Sequence, residues 1–398
     1  MVVSQLMSND ASPESAPKHK TGGTVSVYGL SSEGYFISAK LASKGYEVFI
    51  IDETLGTAME LRPEIAGDYR ELRALLNDEV LMTIKSSRDC IADSKVVFFA
   101  PKIRRINEDI LSEVKSRLSE LAKNLSEGSL LIFCLPLGIS GSKEIIDRIE
   151  HASGLQSGKT FSFCYSPTEL GRPLVFGCDS PLADHAAIIE AAGFSTEVLA
   201  VEKAELMHAQ RLIARYSSLA STFESAKRLT QMGHDSPREY KQIFADDLSA
   251  SICDLRIVFE SLASGDPLLY LVSGSLKSVD GYTRFLVDRI REFVRLKELK
   301  AARLKILLFS DNDQLEMRGD KMGLANTILE RLRDYYSDIE YLNIMKEGFT
   351  LPMGMDKTNL MIFLSGSCEQ RLLQLYEEQI SMTKTHIVRA NLPVEFIR

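Results

Sequence analysis

The sequence has few of the features that mark metalloproteins, disulfide-rich proteins or membrane proteins. Its six cysteines are scattered without C-x-x-C spacing, which argues against both a zinc site and a disulfide framework. No group of His, Asp and Glu has metal-ligand spacing. The longest apolar stretch, SLLIFCLPLGI, contains Pro136 and is too short to span a membrane. We therefore expect a soluble protein without a metal, with reduced thiols in a cytoplasm.

The sequence also lacks an excess of positive charge. Lys and Arg total 47 against 55 Asp and Glu, a net charge of −8, which argues against a nucleic-acid-binding protein. Residues 1–23 are rich in Ser, Pro, Lys and Gly without an apolar core, so they predict a disordered tail rather than a secretory signal. The 398 residues allow two or three domains, and 45% apolar residues are ordinary for globular proteins.

Short apolar runs alternate with helical patterns through the first half of the chain. Each run predicts a buried strand of a parallel sheet, and the amphipathic stretch at 106–125 predicts one of the covering helices. The fold class predicted is α/β with an N-terminal doubly wound sheet. The predicted strands are 25–28, 48–51, 96–100, 130–135 and 161–165.

From about residue 203 the pattern changes to one long amphipathic helix followed by more helical sequence. Strands resume at 305–310, 339–344, 359–364 and 386–390, which predicts a second, smaller α/β domain. The expected organisation is a tail (1–23), a Rossmann-type domain (24–202), a central helical region (203–300) and a C-terminal Rossmann-like domain (301–398).

The motif GLSSEG at 29–34 follows the first predicted strand, where a dinucleotide-binding protein has G-x-G-x-x-G. Gly29 and Gly34 fill the outer glycine positions, and Asp52 ends the second strand, where an acidic side chain would bind ribose. Ser31 replaces the middle glycine and would crowd a pyrophosphate. Glu33 places a carboxylate in the first helical turn, where it would repel a phosphate.

Two interpretations of this motif stay open. GLSSEG is either a strand-to-helix turn with two structural glycines or a weakened NAD site. A single glycine fingerprint does not decide between them.

Several separate stretches together resemble the UDP-glucose/GDP-mannose dehydrogenase family of nucleotide-sugar dehydrogenases. SGLQSGKTFSFCYSPTELGRP (153–173) resembles the family's approach to Y-S-P-E-R, and FCLPLGIS (133–140) resembles its S-T-V-P-P-G-T-T. SGSLKSVDGY (273–282) is similar to G-G-H-C-I-P-V-D-P-Y, and LEMRGDK (315–321) is similar to the start of the family's C-terminal domain. The resemblance implies two Rossmann-like domains joined by a long helix that forms a dimer interface.

The resemblance also implies a chemistry whose residues are missing. Family members oxidise C6 of a UDP-sugar twice with NAD, through a thioester on a cysteine. The cysteine position falls on Leu276, which cannot be a nucleophile. The Lys and Asn positions of the long helix fall on Gln210 and Ala214, and the Y-S-P-E glutamate falls on Thr168. A family threonine is replaced by Cys134, which the resemblance places beside the cofactor.

Other residues are weaker candidates. The resemblance places Arg318 and Gly274 in the substrate site. Arg318 is either a bidentate partner of a diphosphate or a surface arginine beside Asp320. His208 could be a general base, although an isolated histidine is more often a packed or surface residue. Cys253 lacks an identifiable activating neighbour, and a single cysteine usually behaves as a small apolar side chain.

Three functions follow from these observations. The first is a catalytically impaired relative that binds a nucleotide or UDP-sugar, as a homodimer or in a hetero-oligomer with an active paralogue. The second is an active NAD-dependent oxidoreductase whose catalytic residues have been rebuilt. The third is an interaction scaffold without a ligand.

Overall fold

The computed structural model describes residues 23–78, 80–103, 110–169, 172–182, 184–194, 198–346, 348–354 and 356–397. Apart from Gly23, the predicted N-terminal tail lies outside these residues. The strands are β1 (Val25–Tyr28), β2 (Val48–Asp52), β3 (Thr57–Leu61), β4 (Ile84–Ser86), β5 (Val96–Phe99), β6 (Leu130–Phe133), β7 (Ser162–Tyr165), β8 (Thr168–Glu169), β9 (Arg172–Pro173), β10 (Gly177–Cys178), β11 (Leu304–Ser310), β12 (Ile339–Asn343), β13 (Thr358–Phe363), β14 (Thr385–Arg389) and β15 (Glu395–Ile397).

The helices alternate with these strands in both terminal parts and follow one another in the middle. They are α1 (Ser32–Ser43), α2 (Pro63–Asp68), α3 (Leu72–Asn77), α4 (Ser87–Asp93), α5 (Ile110–Ala122), α6 (Gly141–Ser153), α7 (Ala186–Ala191), α8 (Val201–Gln231), α9 (Arg238–Lys241), α10 (Ala245–Ser249), α11 (Ile252–Ser261), α12 (Pro267–Leu296), α13 (Asp320–Arg333) and α14 (Gly366–Ser381).

The N-terminal sheet has eight strands in the order β10-β7-β6-β5-β1-β2-β3-β4. Its five inner strands from β7 to β2 are parallel. Every residue of β1, β5 and β6 is buried, as expected where helices cover both faces of a parallel sheet. These are the five strands predicted from the apolar runs.

The antiparallel edges of this sheet were not predicted. β3 pairs with β2, β4 with β3 and β10 with β7. β3 is only partly buried and all three residues of β4 are exposed, so neither gives the continuous apolar run typical of a buried strand.

Two long helices dominate the middle of the chain. α8 spans 31 residues and α12 spans 30, and they pack along one another. α12 begins at Pro267 with Asp266 as its N-cap, since the Asp266 carboxylate accepts the Leu268 amide at 2.8 Å. The long helix predicted from about 203 is confirmed.

The C-terminal sheet has the order β12-β11-β13-β14-β15, with four parallel strands and an antiparallel last strand. One face contributes Ile306, Leu308 and Ile362 to a core shared with α8 and α12. The other face packs against α14 through a smaller core. The α/β fold class with two Rossmann-like sheets is confirmed. The division at 202 and 300 stays a prediction, although element types change close to both positions.

Candidate functional site

Both glycines of the GLSSEG turn are required by the backbone. Gly29 has φ +118°, and a Cβ there would lie 2.4 Å from the Ala100 carbonyl oxygen. A Cβ at Gly34 would lie 2.9 Å from the Gly29 carbonyl oxygen and 3.2 Å from the Val27 side chain. The turn therefore needs glycine at both ends for packing between β1, α1 and the neighbouring strand, whether or not a ligand binds.

Ser31 is the N-cap of α1. Its hydroxyl accepts a hydrogen bond from the Gly34 amide at 3.0 Å and donates one to the Ala100 carbonyl at 2.7 Å. The side chain is completely buried. Contrary to the expectation that Ser31 crowds a phosphate, its hydroxyl is used inside the protein as a helix cap.

A segment of the C-terminal half, Asp313–Arg318, lies against this turn. The Ser32 amide donates to the Leu315 carbonyl at 2.8 Å, and the Met317 amide donates to the Glu33 carboxylate at 2.9 Å. The Met317 side chain is buried in the N-terminal core. An amide at the positive end of α1, where a dinucleotide phosphate would bind, is thus already paired within the chain.

A second carboxylate engages the same turn. The Leu30 amide donates to the Glu53 carboxylate at 3.0 Å, and Glu53 pairs with Arg117 at 2.9 Å. Asp52, the residue predicted to bind ribose, instead accepts the Thr54 and Leu55 amides at 2.8 and 3.2 Å. The acidic side chain that reaches the turn is therefore Glu53, one residue beyond the predicted one.

A crevice follows the carboxyl ends of β1, β2 and β5. It has two parts of about 430 and 440 Å³, both lined by Glu53 and Arg117. The first part also contacts Tyr28, whose pKa is raised to about 12 by burial and by the charge of Glu53. The second part contacts Asp52 and ends at Leu315 of the Asp313–Arg318 segment.

The residues at the turn do not fit a dinucleotide pyrophosphate in this conformation. The amides of Leu30 and Ser32 are paired, and the carboxylates of Glu33 and Glu53 stand beside them. A pyrophosphate would have to displace Leu315 and approach two acidic groups. The structure therefore supports a structural role for the two glycines.

A buried polar cluster lies where the N-terminal sheet, the central helices and the Asp313–Arg318 segment meet. Arg318 Nε donates to Asp254 Oδ1 at 2.7 Å, and its Nη1 donates to the Thr168 carbonyl at 2.5 Å. His208 Nε2 lies 3.8 Å from Asp254 Oδ2, and its Nδ1 is 2.9 Å from the Tyr165 hydroxyl. We call these five residues, together with Cys253 and Asp320, the junction cluster.

The junction cluster contains unused hydrogen-bonding capacity. Within the part of the chain that the structure describes, five of its polar atoms are buried without a hydrogen-bond partner: Thr168 Oγ1, His208 Nε2, Asp254 Oδ2, Arg318 Nη2 and Asp320 Oδ2. Burial lowers the pKa of His208 to about 4, against the opposing charge of Asp254. The imidazole is therefore neutral near pH 7.

The cysteine in the junction cluster is Cys253, at the beginning of α11. Its backbone amide donates to the Asp320 carboxylate at 3.3 Å, and its thiol donates to the same group. Burial and the Asp320 charge raise the pKa of the thiol far above its ordinary value. An activated nucleophile needs the opposite shift, so Cys253 is a protonated thiol in this arrangement.

Leu276, the residue at the predicted cysteine position, does not belong to the junction cluster. It lies in the middle of α12 and packs into the core shared by α8, α12 and the C-terminal sheet. The two prolines of the family pattern are replaced by Ser278 and Gly281, so the helix continues through this stretch. Gly274 lies on the exposed side of the same helix.

The two catalytic positions predicted on α8 also lie outside the junction cluster. Gln210 and Ala214 are exposed, whereas His208 on the buried side belongs to the junction cluster. Arg211 donates to the Leu174 carbonyl, and Arg215 lies 3.4 Å from the Glu169 carboxylate. The family positions transferred to this helix therefore do not identify the side chains that approach β8.

Cys134 and Thr168, two residues at substituted family positions, lie next to each other. The Thr168 amide donates to the Cys134 carbonyl at 3.2 Å, and both side chains are buried. Burial raises the pKa of the Cys134 thiol well above its ordinary value. Cys134 therefore behaves as an apolar core residue.

Sequence reasoning missed Asp254, Asp320, Tyr165 and Glu53. Asp254 and Glu53 directly follow Cys253 and Asp52, which were named from the sequence. Tyr165 ends β7, and Asp320 begins α13. Only the fold brings Asp254 within 2.7 Å of Arg318, 64 positions away. The sequence contains only a weak signal for a polar site on α8: Glu205 and His208 are three residues apart and therefore lie on one side of the helix. In the structure, Glu205 accepts the Ser140 and Ser142 amides.

Comparison with known proteins identifies the architecture. The chain is similar to the structure of UDP-D-ManNAc dehydrogenase from Pyrococcus horikoshii, with a TM-score of 0.63, 15% identity and coverage of 86% of this chain and 89% of that one. The fold is that of the nucleotide-sugar dehydrogenases. UDP-glucose dehydrogenase from Pyrobaculum islandicum gives a TM-score of 0.56 at 14% identity, covering 93% and 87%.

UDP-N-acetyl-mannosamine dehydrogenase from Staphylococcus aureus has the same fold, with a TM-score of 0.56, 15% identity and coverage of 86% and 88%. No protein-family model and no curated protein matches the sequence. At this identity the likeness establishes the nucleotide-sugar dehydrogenase fold and leaves the activity to be argued from the site.

Metal-ligand groups and membrane-spanning helices are both missing from the described part of the chain. Among those residues, no group of three or more His, Cys, Asp or Glu is arranged to hold a metal ion. Within the same residues, no helix is both long and apolar enough to cross a membrane.

Proposed function

We propose that this chain is a non-oxidising protein built on the nucleotide-sugar dehydrogenase fold. It binds a nucleotide or nucleotide sugar and acts as the partner or regulator of an active dehydrogenase. The observation that carries the proposal is the pairing of the Ser32 amide with Leu315 and of Glu33 with the Met317 amide. The place where NAD would present its pyrophosphate is filled by the Asp313–Arg318 segment.

The thiol chemistry supports the same conclusion. Oxidation of an alcohol to an acid through a thioester requires a thiolate close to the reacting carbon. Cys253 is the cysteine of the junction cluster, and two acidic neighbours, Asp254 and Asp320, oppose its ionisation. Leu276 in the core of α12 supplies no alternative.

A binding role is supported by the crevice beside β1, β2 and β5. Its two parts are large enough for a nucleoside, and they offer Glu53, Arg117 and the Tyr28 hydroxyl as polar contacts. The blocked pyrophosphate position favours a mononucleotide over a dinucleotide there. Retention of a dimer or hetero-oligomer through the central helices is part of the proposal.

Thermal shift measurements test the binding role. Purified protein is heated with NAD, UMP, UDP or a UDP-hexose, each at millimolar concentration. We expect a mononucleotide or nucleotide sugar to raise the unfolding temperature and NAD to leave it unchanged, because a ligand at 100 times its Kd adds about 2.7 kcal/mol of stability. If none of the ligands shifts the transition, the ligand-free scaffold replaces this proposal.

The competing function is an NAD-dependent oxidoreductase with rebuilt residues. It is favoured by the convergence of His208, Tyr165 and Cys253 in one buried cluster. Absorbance of NADH during incubation with UDP-hexoses distinguishes the two. We expect this chain alone to form no NADH. A mixture of this chain and a known dehydrogenase is the positive control. Steady NADH formation by this chain alone would establish the competing function.

A further inference from the structure

Two cysteines outside the junction cluster face one another across an antiparallel strand pair. Cys164 in β7 is the direct partner of Cys178 in β10, and Gly177 is the partner of Tyr165. β10 is the edge strand of the eight-stranded sheet. Neither cysteine takes part in the proposed nucleotide function.

The backbone hydrogen bonds identify the type of pair. The Asp179 amide donates to the Phe163 carbonyl at 3.2 Å, so 163 and 179 form the hydrogen-bonded pair of this ladder. The Cys178 amide points the other way and donates to the Leu199 carbonyl at 2.9 Å. Cys164 and Cys178 are therefore a non-hydrogen-bonded pair, in which Cα atoms approach to about 4.5 Å and side chains are closest.

That separation lies within the range of about 4.4–6.8 Å found between Cα atoms of disulfide-bonded cysteines. Both side chains extend from the same face of the sheet, because directly paired residues share a face. The direct pairing of Cys164 with Cys178 therefore places the two thiols next to each other on that face.

The two thiols also differ in reactivity. The neighbouring Cys164 thiol lowers the pKa of Cys178, whereas burial raises the pKa of Cys164. Cys178 is 6% exposed and Cys164 is completely buried. Cys178 is therefore the thiol that reacts first with an oxidant, and Cys164 is positioned to react second.

We propose that Cys164 and Cys178 form a reversible intramolecular disulfide when the protein meets a peroxide. The Cys178 thiolate attacks one peroxide oxygen, the O–O bond breaks, and Cys178 becomes a sulfenic acid while hydroxide leaves and takes up a proton. The Cys164 sulfur then attacks the Cys178 sulfur, the S–O bond breaks and water leaves. The net change oxidises two thiols to one disulfide and reduces one hydrogen peroxide to two waters.

The disulfide would fasten the edge strand β10 to β7 beside a structurally important pair. Tyr165 follows Cys164 directly and holds His208 of α8 at 2.9 Å. Gly177 precedes Cys178 and lies against the first turn of α8, where an added Cβ would be 2.6 Å from Ala204. Oxidation would thus fix the contact between the N-terminal sheet and α8.

Peptide mapping tests the proposal on the full-length protein. Reduced protein is treated with hydrogen peroxide, denatured, alkylated with N-ethylmaleimide and digested with trypsin and a glutamate-specific protease. Cleavage after Glu169 separates the two cysteines, so a disulfide joins two peptides. We expect the linked 164–178 species to become the main form and to disappear after dithiothreitol, while Cys134 and Cys253 stay alkylatable.

Matched variants complete the test. In Cys164→Ala, peroxide should leave Cys178 as a sulfenic acid that dimedone traps, because no second thiol is present to displace it. Full alkylation of both cysteines after peroxide, or links to other cysteines in equal amount, would overturn the proposal. If the variant fails to fold, the peptide map of the natural sequence decides alone.

Discussion

The Glu33 carboxylate accepts the Met317 backbone amide at 2.9 Å across 284 positions of the chain. This contact joins the first helix of the N-terminal sheet to the segment that follows the first strand of the C-terminal sheet. Burial raises the pKa of Glu33, partly offset by the Arg318 charge. A motif that resembles a cofactor fingerprint is thus used as an internal contact between the two halves.

The two glycines Gly34 and Gly274 should respond oppositely to alanine. Gly34→Ala places a Cβ 2.9 Å from a backbone oxygen, and we expect a loss of about 1–3 kcal/mol of unfolding free energy from overpacking. Gly274→Ala meets no atom of the described residues within 4 Å on an exposed helix and should gain about 0.5–1 kcal/mol. Urea denaturation measures both; equal effects would contradict the close approach at the turn.

The Arg318–Asp254 ion pair is expected to be expensive to break. Arg318→Met leaves the buried Asp254 carboxylate unpaired, so unfolding free energy should fall by about 3–5 kcal/mol. The double variant Arg318→Met/Asp254→Leu should recover part of this loss. Lys123→Met is the control, because Lys123 pairs with Glu120 at an exposed site and should cost about 1 kcal/mol or less.

If Arg318→Met is as neutral as Lys123→Met, solvent reaches Asp254 in solution. Guanidinium denaturation with both circular dichroism and fluorescence follows the two variants, and coincident transitions support the two-state treatment.

Asp246 gives the protein a specific dependence of stability on pH. Both carboxylate oxygens are buried without a hydrogen-bond partner among the described residues, and burial raises the pKa to about 7. Because folding raises this pKa, the native state binds the proton more tightly. The resulting stabilisation is fully present below about pH 4 and is lost as the pH rises through 7.

Asp246→Asn should therefore flatten the pH profile between 4 and 7. At pH 8 it should be more stable than the natural sequence, by about 1.4 kcal/mol for each pH unit that separates the folded and unfolded pKa of Asp246. Part of the slope should remain, because burial also raises the pKa of Glu316 to about 7 and of Asp320 to about 6. The exposed Asp288→Asn is the control. If the unfolding free energies of the natural sequence, Asp246→Asn and Asp288→Asn change with pH in parallel, Asp246 ionises in the folded protein at no free-energy cost.

The sequence alone predicted the parallel strands of both sheets but not the residues that meet in the junction cluster. Buried parallel strands such as β1 and β13 appear as continuous apolar runs because both faces are covered. The edge strands β4 and β10 are too short or too exposed to give that signal. The glycines Gly29 and Gly34 were predictable because local backbone geometry fixes them.

The junction cluster could not be predicted, because its members come from six separate elements and segments. Cys253 joins Asp320 only after α11 packs on the start of α13, and family motifs transferred by spacing gave Leu276 instead. The insertion of Leu315 beside Ser32 depends on long-range packing that leaves no local periodicity.

Calorimetric titration of NAD into the purified protein measures whether the pyrophosphate position at the GLSSEG turn is closed. The same titration is made with Glu33→Gln, and Glu64→Gln is the control, since Glu64 is an exposed residue in the first turn of another helix. With the Asp313–Arg318 segment in place, we expect the natural sequence to bind NAD with a Kd weaker than about 1 mM, equivalent to about −4 kcal/mol. Glu33→Gln should bind detectably more tightly and Glu64→Gln should not. Saturable micromolar binding of NAD by the natural sequence would contradict the account.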